Sequence, residues 1–148
     1  MIVAVATEAD AVDWSQMRHR LWPSTSLPRH TADIAAALEK PAGIINLIAR
    51  TDAGISAGFA EASLRHDYVN GCKTSPVAFL EGIYVEPHFR GQGIARLLVD
   101  GIQSWARHNG CSEFASDADV SNLVSHAMHN ALGFVETQRV VYFRKLLD

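Results

Sequence analysis

Residues 77–85, Val-Ala-Phe-Leu-Glu-Gly-Ile-Tyr-Val, form a mostly apolar run, the pattern of a central strand covered on both faces. Beyond a glycine-containing turn, Ile94, Leu97, Leu98, Ile102 and Trp105 recur at helical spacing on one face, and Gly110 closes that helix. The rest of the chain reads outward from this pair. Residues 2–6 predict a strand. Thr7 then caps a helix start, with Glu8 and Asp10 facing the positive end of the dipole. Trp14, Met17, Arg18 and Leu21 follow at helical spacing, and Pro23 prevents continuation. Thr31 caps a second helix carrying Ile34 and Leu38. Residues 44–50 and 55–64 make a hairpin through the turn Thr51-Asp52-Ala53-Gly54. Residues 65–76, with Asp67, Asn70, Gly71 and Pro76, read as a loop. A strand over 111–116, a helix over 121–132 stopped by Gly133, and one or two closing strands over 134–147 complete the chain. No repeat, low-complexity stretch or linker interrupts it, so residues 1–148 are expected to form one α/β domain with a mixed sheet.

Composition narrows the function classes. A chain of 148 residues with 48% apolar and 20% charged side chains can bury one core and is not disordered. A formal net charge of -3 gives no long-range attraction to nucleic acid or anionic lipid, whereas a polycationic small molecule is favoured if carboxylates gather at one site. Cys72 and Cys111 are too few for a disulfide framework and suit a reducing compartment. The short apolar start runs into Glu8 and Asp10, unlike a signal peptide, and no apolar run approaches a membrane span. A soluble, cytoplasmic protein is expected.

The chemistry concentrates after the central strand, in Glu86-Pro87-His88-Phe89-Arg90-Gly91-Gln92-Gly93-Ile94-Ala95-Arg96. A strand, a glycine turn and a helix start in succession let backbone N–H groups converge on an anion, with about half a positive charge added by the helix terminus. Arg90 and Arg96 can add their own charges. The glycines fit neither the Walker pattern nor the dinucleotide fingerprint. They do fit Arg-x-x-Gly-x-Ala, with Arg90, Gly93 and Ala95. Together with the preceding strand, Asn122 near the start of the next helix and Leu132-Gly133-Phe134, this resembles the GNAT acetyltransferases. The resemblance implies the GNAT fold, a mixed and mostly antiparallel central sheet flanked by helices, with acetyl-CoA as co-substrate and no metal. The pantetheine arm would meet Ile83, Tyr84 and Val85. The pyrophosphate would rest on Gly91, Gln92, Gly93, Ile94, Ala95 and Arg96, with Asn122 as a further coenzyme contact.

A narrower likeness runs through Leu21-Trp22-Pro23, residues 65–71, Ser75-Pro76, Phe79-Leu80-Glu81-Gly82, Ala115-Ser116-Asp117 and Tyr142-Phe143-Arg144-Lys145, which look like the short-chain aminoglycoside 6′-N-acetyltransferases. It implies direct attack of an acceptor amine on the thioester in a ternary complex, with resistance to these antibiotics as the outcome and a homodimer as the assembly. Trp22 and Tyr68 offer flat faces to amino-sugar rings, and Glu81 and Asp117 offer carboxylates to ammonium groups. Trp22 could instead staple the first helix, and Asp117 could cap the fourth, but Asp119 and Ser121 are available as caps, which favours the ligand role for Asp117. Glu81 can take the ammonium proton, anchor the cation, or do both. Gln138 stands where relatives carry a glutamate, with Glu136 or Asp119 as substitutes. His129 occupies the position of the family's acidic tyrosine and is either the proton donor to the thiolate or a packing residue, solvent being the other donor. His126 and His129 lie three apart but lack a third metal ligand at a familiar spacing. Two other readings remain: a GNAT enzyme for another small amine, such as a polyamine or amino acid, or for a protein N-terminus, and an acyl-CoA-binding regulatory module without turnover.

Overall fold

The structure, a computed structural model, describes residues 1–148. In chain order it contains β1 (Ile2–Val5), α1 (Ala11–Leu21), α2 (Leu27–Glu39), β2 (Ile44–Arg50), β3 (Ser56–Arg65), β4 (Val77–Val85), α3 (Ile94–His108), β5 (Phe114–Ser116) and α4 (Leu123–Ala131). Short 3-10 turns occupy Glu8–Asp10 and Pro87–Phe89. The five strands lie in the order β1-β2-β3-β4-β5. The first four pair antiparallel and β5 joins β4 in parallel, as the expected mixed, mostly antiparallel sheet requires.

Each face of the sheet carries its own core. Trp14 and Met17 of α1 and Ile34 of α2 pack on Ile48, Phe59 and Tyr84. On the opposite face Ile94, Leu98 and Ile102 of α3 meet Leu47, Ala49, Ala60, Ala62 and Leu80. Alanine at four strand positions beneath α3 (Ala49, Ala57, Ala60 and Ala62) leaves room for the helix to lie close to the sheet. Full burial of Trp14 or Phe59 on the first face, or of Leu98 or Ile102 on the second, contributes on the order of 1.5–3 kcal/mol each, so each layer is held mainly by its own large side chains.

Several boundaries differ from the sequence-based expectation, each for a local reason. Helix α2 begins before Thr31, because Ser26 accepts the N–H of Arg29 (3.3 Å) and Pro28 sits in the first turn, where no N–H is needed. Thr31 lies inside the helix and its hydroxyl donates to the Leu27 carbonyl. Leu97 is 43% exposed and stands off the core face of α3. Strand β5 starts at Phe114 rather than Cys111, since the Cys111 N–H closes the end of α3 on the Ala106 carbonyl. Helix α4 starts at Leu123, with Asn122 and not Ser121 as its cap.

The largest correction concerns residues 134–148, which form no strand. Phe134 packs edge-on against Phe114, with ring centres 5.1 Å apart. Val135, Val141, Tyr142, Phe143, Leu146 and Leu147 beyond it are all exposed. A strand needs an edge to pair with, and β5, the edge strand against which Phe134 packs, offers only three residues of one. No helix is long and apolar enough to cross a membrane.

Candidate active site

The turn after β4 is built as an anion cradle. Gly91 (φ +76°) and Gly93 (φ +81°) both take the left-handed backbone that side chains disfavour, and Gly93 is the residue from which α3 departs. None of the N–H groups of residues 91–96 donates to another group in the chain, so they remain the unpaired donors of a helix start. Both arginines are already tethered. Arg90 Nε donates to the Val85 carbonyl (2.8 Å) and its guanidinium lies 5.6 Å from the centre of the Tyr84 ring. Arg96 Nη2 donates to the Ala131 carbonyl (2.5 Å), tying α3 to the end of α4. Gln92 Nε2 reaches the His88 carbonyl at 3.4 Å. The cradle's positive potential therefore combines the unpaired amides and the α3 dipole with two guanidinium charges held in place by backbone carbonyls.

Strand β4 is broken beside this turn in two ways. On the β3 side Glu61 pairs with Gly82 and Ala62 with Leu80, so Glu81 is the extra residue of a β-bulge. On the β5 side the last pair is Leu80 with Ser116, and β4 runs on through Val85 without a partner there. Ile83, Tyr84 and Val85 thus lie along a free strand edge that leads from Glu81 to the cradle. An extended ligand arm can add to such an edge as a strand would.

The bulge swings Glu81 toward β3, where two groups hold its carboxylate. Ser63 Oγ donates at 2.6 Å, and Arg65 Nη2 donates to both oxygens at 3.0 and 3.1 Å. Arg65 is in turn laid over the Phe79 ring, 3.5 Å from its centre. Trp22 forms the C-terminal cap of α1, and its indole presses on Gly82, where even a methyl group would lie 2.5 Å from the ring carbons. Glu81 and Trp22 are thereby neighbours. Asp117 leaves β5 one residue past the Leu80–Ser116 pair, exposed and without a hydrogen bond from its side chain. Helix α4 is capped by Asn122, whose Oδ1 accepts the Ser125 N–H (3.1 Å), so Asp117 has no capping duty. That bond also engages the oxygen of Asn122, the expected coenzyme contact.

The loop between β3 and β4 brings Tyr68 to the surface at 76% exposure, above Val69, which is buried with Val77 and Phe79. Glu113 staples this loop: one oxygen accepts from the N–H groups of Lys73 (2.8 Å) and Thr74 (2.7 Å) and from the Thr74 hydroxyl (2.5 Å). The Thr74 hydroxyl, then the Lys73 N–H, hold the Glu113 carboxyl below the usual range. Gly71 of the same loop touches the side chain of Thr137, so the C-terminal segment passes beside Tyr68. Gln138, the next residue, is exposed, while Glu136 pairs with Arg139 (2.6 Å).

His129 is fully engaged. Its Nε2 lies 2.7 Å from Ser116 Oγ, its Nδ1 2.7 Å from the Ser125 carbonyl, and its ring meets Phe134 edge-on at 5.2 Å. His126 Nε2 lies 2.9 Å from the Asp119 carbonyl. Sequence reasoning missed Ser63 and Arg65 as the partners of Glu81, and Glu113 as the staple of the loop between β3 and β4. A signal for the first pair existed: Glu61, Ser63 and Arg65 alternate along a strand that is otherwise small and apolar.

Comparison with known proteins places this geometry. The model of the acetyltransferase (GNAT) family matches residues 11–134. An aminoglycoside N(6′)-acetyltransferase type 1 of Serratia marcescens is 49% identical over 144 residues, covering 97% of this chain and 98% of its own. Its counterpart in Stenotrophomonas maltophilia is 48% identical over 143 residues, covering 97% and 92%. The crystal structure of an aminoglycoside antibiotic 6′-N-acetyltransferase from Acinetobacter haemolyticus, without ligand, superposes with a TM-score of 0.94 at 44% identity over the whole of both chains. The structure of AAC(6′)-Iy in complex with the bisubstrate analogue CoA-S-monomethyl-acetylneamine superposes with a TM-score of 0.92 at 42% identity, covering 99% and 98%. With a family model matched across both cores and relatives that follow it almost from end to end, the chain belongs to the acetyltransferase (GNAT) family.

Proposed function

We propose that this protein transfers the acetyl group of acetyl-CoA to the 6′-amino group of aminoglycoside antibiotics and so confers resistance to them, acting in the cytoplasm, where acetyl-CoA is available. The observation that carries the reading is the bulge at Glu81, which sets a carboxylate and Trp22 at the start of a free strand edge that ends in the phosphate cradle. The coenzyme's diphosphate rests on the amides of Gly91, Gln92, Gly93, Ile94, Ala95 and Arg96, with Asn122 beside it, and its pantetheine follows Ile83, Tyr84 and Val85. An N–H of that edge polarises the thioester carbonyl. Glu81 holds the acceptor's ammonium and takes its proton, directly or through a water. The freed amine attacks the carbonyl carbon, a C–N bond forms and the C–S bond breaks. Both ring nitrogens of His129 already have partners, so the departing thiolate takes its proton from solvent.

On the acceptor side Trp22 and Tyr68 flank the sugar rings, Asp117 binds an ammonium group, and Gln138 contributes a neutral contact from the segment beside Gly71. The test is a thiol-release assay with acetyl-CoA and matched 6′-amino and 6′-hydroxy aminoglycosides. Turnover should appear only with the 6′-amino drugs, and folded protein inert toward several of them at saturation would sink the reading.

Asp117 gives a second test. Asp117→Asn should raise the acceptor's KM while sparing acetyl-CoA, since losing a charged hydrogen bond costs about 1.5–3 kcal/mol. Because Asn122 caps α4, Asp117→Ala should do the same without moving the melting temperature. Normal aminoglycoside kinetics in both variants would remove Asp117 from the site.

The exposed apolar side chains after Phe134 support a homodimer in which a second copy covers them, because apolar residues gathered in one segment are the kind of surface a partner buries. Light scattering should return about twice the chain mass of 16.2 kDa. A monomer at working concentrations would rule the dimer out.

A further inference from the structure

Beneath Trp22 lies a buried polar cluster that the transfer reaction does not use. Glu61 of β3, only 12% exposed at its side chain, accepts from Trp14 Nε1 (2.8 Å) and, at both oxygens, from Arg18 Nη1 (3.2 Å). Arg18, equally covered, also faces Asp33 (3.5 Å) and donates from Nε to His30 Nδ1 (3.2 Å). His30 is 1% exposed. Since its Nδ1 receives an N–H, its proton sits on Nε2, which donates to the Trp22 carbonyl at 3.1 Å. The His30 ring is also stacked on the Trp22 indole, 6.3 Å between centres and 20° from parallel.

Burial pushes the Glu61 carboxyl up, against the pull of Arg18 and the Trp14 N–H. Buried ion pairs of this kind are often no more stabilising than apolar residues of the same volume. Their contribution is orientation, and everything here converges on one side chain. The indole of Trp22 has His30 on one face, Phe59 edge-on at 6.2 Å, the Arg18 guanidinium 5.2 Å from its centre and Gly82 against its rim. Its backbone cannot hold it alone, because Trp22 is the residue that caps the end of α1, already out of helical conformation and followed by Pro23.

We infer that His30, set by Arg18 and Glu61, is a positioning residue that fixes the Trp22 indole beside Glu81 and so sets the affinity for the acceptor. This rests on the acceptor reading above, in which Trp22 receives an amino-sugar ring. His30 touches no reactant in this scheme. Its loss should therefore appear in the acceptor's KM and leave both kcat and acetyl-CoA binding close to wild type.

The experiment pairs His30→Leu, which fills the space but removes both hydrogen bonds, with His30→Gln, which restores a donor toward the Trp22 carbonyl. His30→Leu should raise the aminoglycoside KM about five- to tenfold, the worth of one well-placed aromatic contact, with kcat within about twofold. His30→Gln should recover most of that loss. In a Trp22→Ala background, His30→Leu should add nothing further. A fall in kcat, or fully additive effects on KM, would overturn the inference. Fluorine NMR of protein labelled with 5-fluorotryptophan supplies a readout independent of turnover, with the Trp22 resonance assigned from Trp22→Phe. That resonance should shift in His30→Leu and return in His30→Gln. If it does so while the wild-type protein acetylates no aminoglycoside, the positioning role stands and the acceptor reading fails. An unmoved resonance in both variants overturns the positioning role itself.

Discussion

Replacing Glu81 with glutamine is expected to lower kcat toward a 6′-amino aminoglycoside by about a hundred- to ten-thousand-fold, the usual worth of a general base, and to raise the acceptor's KM as well. Both effects follow from where the bulge puts the carboxylate. In the acceptor-free protein its charge is answered by Arg65 at 3.0 Å and by the Ser63 hydroxyl at 2.6 Å. An incoming ammonium must share this carboxylate with Arg65. A neutral amide can still accept from Ser63, so the strand pairing should survive and the melting temperature should change little. It can neither take a proton nor balance two cations. The ratio of the two constants separates the roles. Loss confined to KM would make Glu81 an anchor only, with the proton passing to water. Loss dominated by kcat with KM preserved would make it a base only. If both constants stayed near wild type, Glu81 would be a partner for Arg65 and nothing else.

How much of this was legible beforehand depended on whether a residue's role is local. The apolar run at 77–85 and the stripe through Ile94, Leu98 and Ile102 announced β4 and α3, because strand and helix periodicity are set within a few residues. The cradle was legible for the same reason: a glycine turn between a strand and a helix carries its donors in its own backbone. The partners of Glu81 were not, since they depend on the register between β3 and β4, and a single bulge there changes which side chains meet. Nor was the cluster under Trp22. Arg18, His30 and Glu61 are dispersed over three elements, and only packing shows that they share one buried site. The tail misled in a different way. Val135, Val141 and Phe143 have the composition of a strand, yet composition does not supply an edge to pair with. An aspartate before a helix often caps it, but the cap here is Asn122, three residues before the Ser125 N–H that it accepts, while Asp117 lies five residues further back.

Gly93→Asp should weaken acetyl-CoA binding by at least about a hundredfold while leaving the protein folded. Gly93 sits at φ +81° with nothing of the protein within 4 Å of where a Cβ would stand, so the free enzyme can accommodate the side chain without a clash. The folded state pays only for a left-handed backbone at a non-glycine residue, on the order of 1–3 kcal/mol and toward the low end for aspartate. The bound state pays more. Gly93 is one of the residues 91–96 whose N–H groups are unpaired and on which a diphosphate would rest. A carboxylate there faces like charge at close range, worth several kcal/mol at 4 Å in an effective dielectric of about 20 before salt screens it. Gly93→Asn is the control, with the same shape and the same tolerance of the left-handed region but no charge. It should cost roughly tenfold, from bulk and lost approach alone. Calorimetric titration with CoA, run beside thermal melts of both variants, reads the two contributions separately. If Asn and Asp weaken CoA equally, the turn excludes the ligand by shape and the electrostatic account of the cradle is wrong. If neither changes the affinity, the diphosphate does not bind at this turn.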